Sequence, residues 1–323
     1  MSDTLQPEQL AESWSAVADA YDRFSQQVTL PFAEDAARLV RIGEGTRVLD
    51  VAAGTGNFAF AAARRGARVL ATDFAPAMID RLERKAREER LTVETAVMDG
   101  QALDLPDCSF EIAASIFGLL FFPDHDKGLR ELVRVLVPGG RAVVATWAPP
   151  PRGEMSRIMG LAMAAAVPDA PKPSSPPPPP HWAKLGDAEA LRARLLANGF
   201  ANAHVVELRH VWIFHRLEDF TATMPRAAPQ AVAMFGAFTP AQRAAFVEAI
   251  EADFRARQGG GPYALTHDAM IAVGTAPCSS LDAKRDDRND GETGSLSQRP
   301  ARVAHGLQEA VHWSSVVARR RTA

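Results

Sequence analysis

The chain has 323 residues, 47% of them hydrophobic and 23% charged, with a formal net charge of -3. That length suits one large domain with insertions, and that composition is ordinary for a folded globular protein. The charge balance offers no concentrated basic surface for nucleic acid, and two cysteines (Cys108 and Cys278, in neither a CxxC pair nor a metal-ligand spacing) argue against a disulfide framework or a zinc site.

The polar, acidic start of the chain lacks the basic and apolar regions of a signal peptide. No apolar run reaches spanning length, so no membrane span and a cytoplasmic location are expected. Residues 7–42 read as helices. Trp14, Val17, Ala18 and Tyr21 recur at three- and four-residue spacing, and a second helix is expected from Pro31, a favoured first helical residue, to about Val40. Residues 46–147 alternate strand and helix patterns. Strands are expected at 47–51, 67–71, 91–97, 110–116 and 141–146, with helices at 57–65, 76–89 and 126–137, and Pro138-Gly139-Gly140 turning the chain into the fifth strand. That alternation predicts βαβ units and a parallel sheet.

Proline dominates from Pro168 to Pro180, which favours an extended connection, after a Met/Ala helix over 155–166. A helix over 187–198, a sixth strand over 204–211, two or three helices within 217–256 and a seventh strand over 269–274 complete the pattern. From about Pro277 the chain is rich in Asp, Arg, Ser and Gly, a composition that predicts disorder and a solvated, basic end at Arg319-Arg320-Arg321.

The strongest chemical signal is Val48-Leu49-Asp50-Val51-Ala52-Ala53-Gly54-Thr55-Gly56-Asn57. A buried strand runs into a turn of small residues and then into a helix, whose N-terminus offers free N–H groups to a ligand. The glycines depart from the dinucleotide fingerprint G-x-G-x-x-G, and Asp50 beside the turn suits a cationic ligand better than a pyrophosphate. Four further elements follow in order. These are Asp73 at the end of the second strand, Met98-Asp99-Gly100-Gln101, Phe110-Glu111-Ile112 through Ser115-Ile116-Phe117, and Glu131-Leu132-Val133-Arg134-Val135-Leu136-Val137-Pro138-Gly139-Gly140.

Together these residues resemble the class I S-adenosylmethionine (SAM)-dependent methyltransferases, in particular the branch of ubiquinone/menaquinone-biosynthesis and small-molecule methyltransferases. The resemblance implies a Rossmann-like α/β fold: a seven-stranded, mostly parallel sheet flanked by helices, with helical lid insertions. It implies SAM held by Asp50, Ala52, Gly54 and Gly56, with Asp73 on the ribose hydroxyls and Asp99 and Gly100 at the adenine. Ala52 stands where the family usually has its first glycine. Phe74 and Met78 would flank the adenine or simply pack beneath the next helix. Tyr21, in the similar amino-terminal signature Trp14-x-x-Val17-Ala18-x-x-Tyr21-Asp22, would close over the ligand or serve as a core aromatic. Ser115 would face the transferred methyl group.

The chain then divides into amino-terminal helices capping the cofactor (1–45), the SAM-binding core (46–147), a proline-rich lid (148–185), the rest of the sheet with a substrate cap at 212–265 (186–276), and a tail (277–323). His125 is the best-placed general base, its alternative being a surface histidine at a helix start. His181 ranks below it, as do His210 and His215, which flank Trp212 and Phe214. Apolar lid residues (Met155, Met159, Met163, Met224, Met234, Phe235 and Phe238) point to a small apolar or aromatic acceptor, or simply bury the lid helices against the body. An RNA or protein methyltransferase and a non-catalytic SAM-binding module are the competing readings. Ser115-Ile116-Phe117-Gly118 is not the tetrapeptide that the first would carry after the fourth strand.

Overall fold

A computed structural model describes residues 5–149, 153–169 and 181–278. Most of the expected proline-rich connection, and the tail from residue 279 with its predicted disorder, lie outside the described residues.

One sheet organises the fold, with strand order β3-β2-β1-β4-β5-β7-β6. Its strands are β1 (Arg47–Val51), β2 (Arg68–Asp73), β3 (Glu94–Val97), β4 (Phe110–Ile116), β5 (Leu136–Trp147), β6 (Asn202–Phe214) and β7 (Tyr263–Thr275). The first five run parallel, and β7 is antiparallel to both β5 and β6. The expected seven-stranded, mostly parallel architecture is therefore the observed one. Helices α1 (Ala11–Leu39), α2 (Asn57–Ala63), α3 (Pro76–Glu89), α4 (His125–Val135), α5 (Glu154–Ala166) and α6 (Ala188–Ala197) fill the connections. Between β6 and β7 lie α7 (Leu217–Thr221), α8 (Pro229–Ala237) and α9 (Pro240–Gln258).

Local chemistry fixes several element ends. Pro76 opens α3 at its first turn, where its missing N–H costs nothing. The Asp124 carboxylate accepts from Lys127 N at 3.0 Å to cap α4. Thr239 and Gln242 form a reciprocal capping box on α9. Glu131 and Arg134, from the last signature in the sequence, tie down the loop before β4. Glu131 accepts from Leu103 N at 2.8 Å, and Arg134 donates to the carbonyls of Leu103 and Leu105. Arg47 and Glu111 pair at the start of β1 and β4, with the Arg47 N–H on Glu111 Oε2 at 2.7 Å. Glu111 therefore sits at the end of the sheet away from the strand C-termini.

Three sequence expectations are corrected. The amino-terminal helices are one helix, with Pro31 inside it. Burial of Phe32, Ala33, Ala36, Ala37 and Val40 holds the second half of α1 in line despite the lost backbone bond. Pro138-Gly139-Gly140 lies within β5 rather than before it, because Leu136 already pairs with Phe110 ahead of a register shift. The last two strands are each 13 residues long, well beyond the expected 204–211 and 269–274.

That extra length has an architectural result. Strand β5 pairs with β7 only from Ala269 to Thr275, whereas β6 pairs with β7 along its whole length. The Tyr263–Asp268 half of β7 therefore overhangs the parallel sheet, by about 20 Å at ~3.4 Å per residue. Side chains occupy part of the edge that β5 leaves bare. Glu154 Oε2 accepts from Thr266 N at 2.9 Å. Gln258 accepts from Ala264 N and donates to Ala264 O, at 2.7 and 2.8 Å. A second hydrophobic core, built on Trp212, Phe214, Phe220, Phe254, Tyr263 and Leu265, sits on this overhang and carries the lid helices.

Candidate active site

In an open α/β sheet the ligand crevice lies outside the strand C-termini, where the strand order reverses, here between β1 and β4. A cavity of about 230 Å³ opens there. Its walls come from the residues just after each strand: Ala52 and Gly54 after β1, Asp73 and Phe74 at β2, Met98 to Gln101 after β3, and Phe117 and Gly118 after β4. Trp14 and Tyr21 of α1 cover it.

The turn after β1 is shaped by backbone that side chains resist. Gly54 has φ +55, and a Cβ there would stand 3.2 Å from Tyr21, which packs directly on it. Ala52 has φ +56 although it carries a side chain, which costs roughly 1 kcal/mol. A Cβ on Gly118 would stand 2.5 Å from the Ala52 methyl, so the glycine after β4 makes room for the alanine after β1. Phe117 also adopts φ +58, an uncommon conformation for an aromatic residue, and it stacks on Trp147 with ring centroids 3.9 Å apart.

Two buried carboxylates govern the electrostatics. Asp73 accepts from Gly54 N and Ala75 N, each at 2.9 Å, so it clamps the glycine turn as well as lining the cavity. Burial pushes it up to about 6, against the pull of those N–H groups. Asp50 accepts from Ala59 N at 3.0 Å through one oxygen. Its Oδ1 is buried with no hydrogen-bond partner among the described residues. Burial, opposed by the Ala59 N–H and reinforced by the charge of Asp73, raises Asp50 to about 8. A buried, unpartnered carboxylate oxygen calls for a cationic ligand group, so this donor set fits an ammonium-bearing ligand.

Of the residues expected at the cofactor, Tyr21, Ala52, Gly54, Asp73, Phe74, Met78, Asp99 and Gly100 all line this cavity. Phe74 and Met78 also pack with Trp14 and Val17, so each wall residue is a core residue too. Asp50 lines a small recess beside the cavity with Tyr21, Thr29 and Asn57. The others lie elsewhere. Gly56 lines neither space; a Cβ there would meet Leu82 at 2.8 Å, so it serves helix packing at φ +96. Ser115 is fully buried, and its Oγ accepts from Leu119 N at 2.9 Å, which holds the turn after β4 rather than facing a ligand.

His125 is corrected as well. It is buried at the start of α4, its Nε2 lies 3.2 Å from Leu120 O, and its ring sits 4.6 Å from that of His181. Burial holds it down at about 4, and it lines neither the 230 Å³ cavity nor the recess beside it. His210 is paired with Asp35 at 2.7 Å, and His181 Nε2 lies 2.7 Å from Phe122 O.

A second, larger cavity of about 500 Å³ adjoins the first, sharing Trp14, Tyr21, Phe117 and Phe121 as a common wall. Met155, Met159, Met224 and Met234 line it, as the lid composition suggested. Met163 is exposed, and Phe235 and Phe238 instead pack on Phe246. Sequence reasoning missed Phe117, Trp147, Gln230 and His267, which also line this space. No helix among the described residues is long and apolar enough to cross a membrane.

Comparison with known proteins agrees with this layout. Residues 48–140 match a family model described as a methyltransferase domain. An uncharacterised protein of Mycobacterium tuberculosis is 35% identical over 179 residues, covering 55% of this chain and 62% of that protein, so the chain spans less than two thirds of that relative. The demethylmenaquinone methyltransferase of Thermobifida fusca is 34% identical over 169 residues, covering 50% of this chain and 71% of the relative. Among solved structures, the [4+2]-cyclase SpnF shares the fold at a TM-score of 0.53 and 18% identity, over 85% of this chain and 98% of that one. On the strength of the matched domain and these relatives, the chain belongs to the class I SAM-dependent methyltransferases.

Proposed function

We propose that the protein transfers a methyl group from SAM to a small, apolar or aromatic organic acceptor. The observation that carries this reading is the common wall. A cavity edged by Asp73 and Asp99 meets an apolar chamber across Trp14, Tyr21, Phe117 and Phe121. SAM supplies a methyl group already attached to a sulfonium leaving group. The chain's own contribution is therefore to bind, align and exclude water, and alignment of well-oriented reactants can supply up to ~7–11 kcal/mol.

In this reading Asp73 accepts from the ribose hydroxyls, Asp99 and Gly100 meet the adenine edge, and Phe74 and Met78 flank its ring. Asp50 Oδ1 takes the ammonium group, while Ala52 and Gly54 let backbone approach the ligand. Helix α1 acts as a cap through Trp14 and Tyr21. The relatives named for demethylmenaquinone methylation are in keeping with a small-molecule acceptor.

Calorimetry with SAM and S-adenosylhomocysteine, followed by incubation of isotope-labelled SAM with a metabolite extract and mass spectrometry, tests the proposal. Binding of both ligands and a mass-shifted, extractable apolar product are expected. Absence of binding would overturn it, and binding without any methylated product would leave a SAM-binding module instead.

A further inference from the structure

The larger chamber is lined mostly by rings, thioethers and alanines, with Thr29, Ser156 and Asp268 among them, and two of its lining side chains each carry a buried polar atom with no hydrogen-bond partner among the described residues: His267 Nε2 and Gln230 Oε1. They come from different elements, His267 from the overhanging half of β7 and Gln230 from the first turn of α8. His267 is only 6% exposed. Leaving such a group unpaired is costly, and this fold carries two of them along one largely apolar space.

Their neighbours are already committed. Thr266 N is held by Glu154, and the Asp268 carboxylate is held by Arg209 at 2.6 Å. Burial keeps the His267 imidazole down at about 4, against the pull of Glu154 and Asp268, so at neutral pH it is uncharged and offers one N–H and one lone pair. Among the described residues no lysine or arginine lines the chamber, so this wall offers a carboxylate or phosphate no counter-charge.

We propose that the chamber takes a neutral ring compound bearing a hydroxyl group, and that His267 and Gln230 select it by hydrogen-bonding that hydroxyl. The inference rests on the methyl-transfer reading only in treating this chamber as the acceptor's. A hydroxyl both donates and accepts, so with the imidazole proton on Nε2 it accepts from Nε2–H and donates its own proton to the Gln230 amide oxygen. A ketone or ether only accepts and would leave Gln230 Oε1 unpaired. A site that hydrogen-bonds a substrate hydroxyl rejects the analogue without it far more strongly than an apolar pocket rejects a change in size.

Fluorescence titration of the full chain with 1-naphthol, 1-methoxynaphthalene and 1-naphthylmethylamine tests this. Naphthol should bind at least about tenfold more tightly than its methyl ether or the amine. His267→Phe and Gln230→Leu should each reduce that ratio below about threefold, with SAM affinity by calorimetry unchanged. Gln230 is only half-buried, so its variant keeps the test decisive if the histidine variant does not fold. Equal affinities, tightest binding of the amine, no saturable naphthol binding, or a preference that survives substitution would each overturn the assignment. A naphthol preference in a protein that fails to bind SAM would overturn the methyl-transfer reading and leave this one standing.

Discussion

If SAM binds as proposed, Asp50 and Asp73 should make the ligand-free fold and the ligand-bound state respond to pH in opposite directions. Both carboxylates are raised in the fold, to about 8 and about 6, from an ordinary value of 3.8. Their contribution to the stability of the empty fold is thus fully present below about 3.8 and is lost as pH climbs through those values. A cationic, hydroxyl-bearing ligand needs them ionised. SAM affinity should therefore rise between about pH 6 and about pH 8, by up to tenfold per unit, and binding near neutrality should release protons. Calorimetry in buffers of differing ionisation enthalpy measures both effects. Asp50→Asn should weaken binding and flatten the profile above about pH 6. A flat wild-type profile would show that Asp50 does not meet the ligand's charge.

At the scale of elements, the cap depends on how α1 is fastened to α3. Asp22, one residue after Tyr21, is 4% exposed and holds Lys85 at 2.7 Å and Arg81 at 2.9 Å. Burial raises its pKa, but the hydrogen bond from Lys85 and its companions from Thr55 and Arg81 outweigh that, so the net shift is downward. Its stabilisation is therefore present above the unfolded value and is lost as pH falls below about 3.8. Asp22→Ala would strand the buried Lys85 ammonium and should cost ~3–5 kcal/mol in denaturant unfolding. A loss under ~1 kcal/mol would mean that Lys85 finds water instead.

Over the whole molecule, legibility in the sequence followed locality. Asp73, Asp99 and the turn around Gly54 were readable because each sits immediately after a strand whose apolar run is unmistakable. The pairing of Ala52 with Gly118 was not, since the two glycine-like positions lie in different turns and only the sheet brings them together. Ser115 and Gly56 were recognised as motif members but not as packing residues, because a motif records position and not direction. His267 and Gln230 escaped for a non-local reason. The segments around 209–214 and 263–268 carry strand only because they pair with each other past the end of β5, and no short-range periodicity announces that. Residues 212–214 and 263–265, expected within the substrate cap, are instead sheet.

The overhang also bears on how the protein behaves in a crowded solution. A strand that loses its neighbour midway presents unpaired N–H and C=O groups, which are templates for another chain. Glu154 and Gln258 answer the Thr266 and Ala264 amides on that bare side, so the larger chamber is gained without a correspondingly adhesive rim. Glu154→Ala together with Gln258→Ala should leave the cofactor cavity intact yet speed concentration-dependent aggregation, which light scattering would follow. Unaltered colloidal behaviour would mean that the lid helices alone keep other chains away.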